Sequence, residues 1–128
     1  MKIISTDKAP AAVGPYSQAV VAHGLVYTSG QIAIDPLTNT VKGTTIEEQT
    51  EQVMKNLSAV LAEASSGFEM AVKTTCFLAD MNDFAAFNEI YGRYFTSLPA
   101  RSCVAVKTLP KGVLVEVEVI AEVCDYSY

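Results

Sequence analysis

Between Val113 and Val123 every odd position (Val113, Val115, Val117, Val119, Ala121, Val123) is apolar, whereas the even positions read Leu114, Glu116, Glu118, Ile120 and Glu122. Successive side chains of a strand point to opposite faces, so the odd set specifies a strand with one face in a core. The even set constrains the chain more. A solvated face rarely carries Leu and Ile in line with carboxylates, and a buried face does not hold carboxylates unpaired. Both conditions are met if this second face is half covered by another subunit, with one or more of the glutamates lining a cleft.

Helices must cover the odd face, and two stretches have the required period. From Thr45 to about Ser65 the residues Ile46, Val53, Met54, Leu57, Val60, Leu61 and Ala64 follow three/four spacing. Thr45 with Glu48 forms a capping box that starts this helix. A second apolar face runs Phe84, Phe87, Tyr91, Tyr94, Phe95, entered through Asn82 or Asp83 and stopped before Pro99. Leu25 to Ile34 and Val72 to Ala79 are rich in β-formers. Cys103 to Thr108 is separated from the last strand by the turn Leu109-Pro110-Lys111-Gly112. His23-Gly24 reads as a turn between two strands. The order of elements predicts an α+β fold with helices on one face of a mixed or largely antiparallel sheet. No linker or repeat interrupts the 128 residues, so residues 1–128 are read as one domain. Hydrophobic residues make up 50% of the chain, more than so small a domain hides, which again points to a covering subunit.

Several function classes are disfavoured. A net charge of −5 with the basic residues scattered repels phosphate backbones, so no nucleic-acid partner is expected. The most apolar stretch is broken by glutamates and the N-terminus has no apolar signal core, so no membrane association is expected. Three cysteines at no familiar spacing argue against a disulfide framework and for a cytoplasmic location. One histidine leaves little from which to build a metal site or a triad, and the glycines form no phosphate loop or dinucleotide fingerprint.

What remains is a set of polar residues in unusual settings. Arg101 follows Pro99-Ala100 at the opening of a strand; it is either half of a surface salt bridge or a two-pronged clamp for a carboxylate. Glu116 is either solvated or, if desolvated beside a cleft, able to hold and polarise a water. Gly14-Pro15 fixes a turn that places Tyr16. Gly30, after Ser29, interrupts a strand pattern and marks a bulge or a close backbone approach. Asn88 lies within the second helix, and Cys103 is either a nucleophile or an inert buried thiol.

Taken in order, Ala9-Pro10-Ala11-Ala12-Val13-Gly14-Pro15-Tyr16-Ser17-Gln18-Ala19, Thr28-Ser29-Gly30-Gln31-Ile32, Asp35-Pro36, Gln49-Thr50, Asn56-Leu57, Val72-Lys73-Thr74-Thr75, Asp83-Phe84, Asn88, Tyr91, Phe95, Pro99-Ala100-Arg101-Ser102-Cys103-Val104, Leu109-Pro110 and Val115-Glu116-Val117-Glu118 resemble the RidA/YjgF family of reactive imine and enamine deaminases. The resemblance covers essentially the whole chain. It implies a chorismate-mutase-like α+β fold, a homotrimer with clefts between subunits, and hydrolysis of 2-imino and 2-aminoacrylate acids to 2-keto acids and ammonia, with no cofactor and no metal. It further implies that Arg101 holds the substrate carboxylate, that Glu116 orients the water, and that Tyr16, Ser29, Gly30, Asn88 and Cys103 shape the cleft. The alternative is a trimeric metabolite-binding or regulatory protein that binds a keto acid without turnover. Relatives described as translation inhibitors or ribonucleases offer a third reading, which the acidic charge opposes. The chain departs from the family pattern in a short Thr96-Ser97-Leu98 connection, in Ser65 where glycine is usual, and in a tail from Cys124 to Tyr128.

Overall fold

The computed structural model describes residues 1–124. Along the chain come β1 (Lys2–Ile4), β2 (Ala19–Ala22), β3 (Leu25–Thr28), β4 (Ile34–Asp35), β5 (Thr40–Val41), α1 (Ile46–Glu63), β6 (Ala71–Leu78), α2 (Phe84–Tyr94), β7 (Ala100–Ala105) and β8 (Val115–Glu122). A mixed six-stranded sheet has the order β1-β2-β3-β8-β6-β7, and β4 and β5 form a separate hairpin. Both helices pack on one face of the large sheet, the α+β arrangement expected. Beyond residue 124 the C-terminal tail noted above lies outside the described residues.

The core forms where the two periodicities meet. Met54, Leu57 and Leu61 of α1 and Phe87 of α2 are fully buried with Val115, Val117 and Val119 of β8. Each such side chain contributes roughly 1.5–3 kcal/mol on leaving water. The capping box is present: Thr45 Oγ1 accepts from the Glu48 N–H at 3.1 Å, and Glu48 Oε1 accepts from the Thr45 N–H at 3.2 Å. Those bonds hold the Glu48 carboxyl below its ordinary range, led by the one from the Thr44 backbone. At the other end Ser66 N–H reaches the Leu61 carbonyl and Ser65 N–H the Ala62 carbonyl, with Ser65 left-handed at φ 59°. Ser65 thus stands at the post-helix position that favours glycine. Asp83 caps α2 by position only, without a side-chain bond; Asp80 serves the preceding turn by accepting from the Asn82 N–H at 2.8 Å.

His23 and Gly24 form the two-residue turn between β2 and β3, both with positive φ (54° and 78°), as a tight hairpin requires. Two strand expectations change. Leu25–Ile34 is not one strand: β3 ends at Thr28, Gln31 rejoins β8 by an isolated bridge to Val117, and Ile34 leaves to pair with Val41. Between the Tyr27–Ile120 and Gln31–Val117 pairs, Thr28, Ser29 and Gly30 lie opposite only Glu118 and Val119, which is a bulge. The strand expected over Cys103–Thr108 runs instead over Ala100–Ala105 and pairs in parallel with β6. The Leu109–Gly112 turn therefore does not join neighbours in the sheet. Parallel strands need a crossover element, and α2 supplies it, while β8 inserts on the far side of β6, antiparallel to both β3 and β6.

Among the described residues no helix lies on the opposite face of the sheet. Ile3, Val20, Tyr27 and Ile120 form a row across β1, β2, β3 and β8, and Ile3 and Tyr27 are exposed. Among the described residues no helix is long and apolar enough to cross a membrane.

Candidate functional site

The residues singled out from the sequence fall into two clusters. Tyr16, Ser29, Gly30 and Glu116 line one cavity of about 450 Å³. Its walls come from irregular backbone, and buried amides hold that backbone in place. Gln18, 4% exposed, accepts from the Thr6 N–H at 2.7 Å and donates to the carbonyls of Thr6, Ala9 and Pro10 at 3.0, 3.3 and 2.8 Å. This pins the segment before Tyr16. Ser29 Oγ donates to the Ser17 carbonyl at 2.6 Å and ties that segment to the bulge. Asn56 of α1 donates to the carbonyls of Ile32 and Ile34 at 3.0 and 2.9 Å and fixes the chain beyond it. Such irregular backbone needs partners that no ladder supplies.

Gly30 is where the backbone comes closest to Glu116. A Cβ at Gly30 would overlap the Glu116 carboxylate and lie 2.8 Å from its carboxyl carbon, so only glycine leaves the carboxylate where it is. The half-buried Glu116 carboxyl is pushed above the ordinary carboxylate range, chiefly by burial and secondly by the negative charge of Glu118. Such a group can hold a proton as well as accept one.

Asn88, Arg101 and Cys103 meet elsewhere. Arg101 and Cys103 pair with Thr74 and Cys76, both buried beneath the helices, so they face α2. Arg101 Nη1 donates to Asn88 Oδ1 at 2.6 Å. The guanidinium carbon lies 4.7 Å from the Tyr91 ring centre and 5.4 Å from that of Phe84. Tyr91 is itself fixed by a 2.7 Å bond between its hydroxyl and Thr74 Oγ1. The salt-bridge alternative for Arg101 finds no support, because the ion pairs among the described residues join Arg93 to Glu51 and Glu89. A planar cation held by an amide and aromatic faces, with no carboxylate partner, is preset to receive an anion. Burial pushes the Cys103 thiol up despite the opposing pull of Arg101. Cys76 is pushed up to about 12, by burial first and then by Cys103. Thiols held in this way are poor nucleophiles.

Within one chain the clusters do not meet. Glu116 pairs with Phe77, and Phe77 with Val104, on the face turned away from the helices, whereas Arg101 lies under α2. They are on opposite sides of the sheet and two strands apart, about 10 Å in the pairing direction alone. Among the described residues no group of three His, Cys, Asp or Glu side chains is placed to hold a metal.

Gln18, Asn56 and Lys111 carry no role in the sequence reading. The signal for Asn56 was present: Gln49, Val53, Asn56 and Val60 follow one helix stripe, so an amide stands where the core period calls for an apolar residue. Lys111, in the turn before β8, lines the Glu116 cavity.

Comparison with known proteins agrees with this fold. The family model described as Endoribonuclease L-PSP matches residues 6–123. A Lactococcus lactis protein named "Putative regulator AldR" is 57% identical over 96% of this chain and 98% of its own length. The mouse 2-iminobutanoate/2-iminopropanoate deaminase is 50% identical over 94% and 90%. The crystal structure of a Rid-family protein from Yersinia pestis, itself described as of unknown function, superposes with a TM-score of 0.93 at 49% identity, covering 95% of this chain and 98% of that one. A match that spans nearly the whole chain, on the same α+β architecture, places the protein in the RidA/YjgF family.

Proposed function

We propose that the protein hydrolyses small, reactive 2-imino acids, and the 2-aminoacrylate-type enamines that tautomerise to them, giving 2-keto acids and ammonia without a cofactor, at clefts between the subunits of a homotrimer. The observation that carries this reading is Arg101: a fixed guanidinium with no carboxylate partner among the described residues, on the opposite side of the sheet from Glu116. A substrate whose carboxylate sits on Arg101 reaches a Glu116 only if a second copy provides it. The half-apolar open face of the sheet supports such an assembly.

In this scheme Arg101 clamps the α-carboxylate and fixes the C=N carbon. Water adds to that carbon, Glu116 takes a proton from it, and the C=N electron pair passes to nitrogen, which is protonated. Collapse of the tetrahedral adduct forms C=O and expels ammonia, with Glu116 relaying the proton. Imines are electrophilic, so positioning supplies most of what is needed. The mouse relative's name supports deamination. The Lactococcus relative's name favours the second reading, a regulator that binds a keto acid without turnover.

The test adds the protein to a threonine dehydratase reaction and follows the disappearance of the imine. Arg101→Ala and Glu116→Ala are each expected to lose most activity, Arg101→Ala by on the order of a hundredfold or more. Mixed, dissociated and reassembled, they regain activity in about one site in four, as random assembly of a cyclic oligomer dictates. Light scattering should give about three times 13.7 kDa. Keto-acid binding with no acceleration would favour the regulator, and no recovery on mixing would sink the shared cleft.

A further inference from the structure

The Glu116 cavity, at about 450 Å³, is in the range of pockets that hold drug-sized ligands. A four-carbon imino acid fills only part of it. Two features say what the remainder is suited to. Its walls include apolar Val13, Ile32 and Pro110, which suit a methylene chain, and its lining also includes Asn39 and Lys111. Lys111 is the cation of this lining. It is exposed, and its side chain has neither an ion pair nor a hydrogen bond among the described residues.

Its placement is specified by the backbone. Pro110–Gly112 forms a single tight turn with Lys111 left-handed at φ 56° and ψ 19°. The Gly112 N–H donates to the Leu109 carbonyl at 3.1 Å and the Val113 N–H to the Pro110 carbonyl at 3.2 Å. His23, Asn39, Ser65 and Leu98 share this left-handed backbone, so the turn fixes where the lysine leaves the chain, and its charge decides what it can do there. In a chain of net charge −5, a cavity carrying Glu116 and neighboured by Glu118 repels any ligand with a second negative group unless a cation lies on the same lining.

We propose that Lys111 is a specificity-determining residue that receives a distal anionic group, so that the cavity accepts dicarboxylic 2-imino acids as well as short monocarboxylic ones. The α-carboxylate would sit on Arg101 of a second copy, the methylenes along the apolar wall, and the distal carboxylate on Lys111. This rests on the imine-hydrolase reading for turnover, but its binding component can be tested independently.

The experiment compares 2-iminobutanoate with 2-iminoglutarate, generated in situ by amino-acid oxidases, and titrates 2-ketobutyrate and 2-ketoglutarate calorimetrically in parallel. Wild type should process both imines. In Lys111→Met the ratio of kcat/KM for the diacid over the monoacid should fall about fivefold, as loss of a partly exposed ion pair implies. It should fall further in Lys111→Glu and be kept in Lys111→Arg. An unchanged ratio in Lys111→Glu, or a wild type that neither turns over nor binds the diacid, overturns the proposal. If neither imine is hydrolysed, the hydrolase reading fails, and the titrations still decide: 2-ketoglutarate must lose affinity relative to 2-ketobutyrate in Lys111→Glu.

Discussion

The Glu116 cluster and the Arg101 cluster are built in contrasting ways. Around Glu116 the backbone is irregular, with a bulge at Ser29-Gly30, a pinned segment before Tyr16 and a left-handed turn at Lys111, and the amides of Gln18 and Asn56 satisfy it from the side. Around Arg101 everything is regular: a parallel strand pair, the crossover helix and stacked aromatic rings. Irregular backbone lets main chain and a carboxylate approach closely. Regular structure holds a charged side chain in one orientation, which is what recognition of a planar anion requires. The two halves should therefore fail differently when altered.

The largest effect is expected at Arg101. Arg101→Ala should lower kcat/KM on the order of a hundredfold or more, about 2.7 kcal/mol, because orientation is lost along with affinity. Arg101→Lys should also be badly impaired, since an ammonium cannot reproduce the fork. Both variants should remain folded and assembled by circular dichroism and light scattering. Near-normal turnover in either would remove the contrast, because the regular half would then contribute no clamp.

Gly30→Ala tests the irregular half. The added methyl meets the flexible end of Glu116 rather than backbone, so the carboxylate must move while the fold holds. Activity should fall roughly tenfold, less than the roughly hundredfold or more that a positioned acid–base group contributes, because the carboxylate is displaced and not removed. The melting temperature should change by only a few degrees, and keto-acid affinity should change less than turnover. A large loss of stability would show that the bulge itself, not the carboxylate, needs glycine.

A smaller effect follows from Glu118. Its charge helps hold the Glu116 carboxyl above the ordinary range, second to burial. Glu118→Gln removes that repulsion and so favours the ionised form of Glu116. The acid limb of the kcat/KM profile, which reports the free enzyme's essential base, should then move to lower pH. A limb that stays in place would assign the titration to another group.

The smallest effect lies outside both clusters. Ser65 is left-handed after α1, and Ser65→Gly should stabilise the protein by about 0.5–1 kcal/mol in denaturant titration without altering activity. An activity change would connect the end of α1 to the cleft.

These contrasts also explain what could be read in advance. Helices, capping box, hairpin turn and the alternation in β8 follow from local period and cap chemistry, so α1, α2, His23-Gly24 and the buried valines were legible. The bulge was signalled by Gly30, but the departure of the chain from the sheet was not, because it is fixed by the Asn56 amide of α1, more than twenty residues away. The parallel pairing of β7 was hidden by Leu109–Gly112, whose residues suit a hairpin as well as the turn they form. The candidate residues themselves were legible from the sequence. Their division between two sides of the sheet was not, since the apolar odd set of β8 shows which of its faces the helices cover, but nothing local in β7 says the same for Arg101.

The space at Gly30 makes positions 30 and 116 interdependent during divergence. A side chain at one and a long carboxylate at the other compete for a single small volume, so neither can drift alone. Gly30→Ala should therefore show its effect on turnover with Glu116 present and little further effect on a Glu116→Ala background, where the carboxylate that it displaces is gone. Within the family the two positions should therefore vary as a pair, although they lie far apart along the chain.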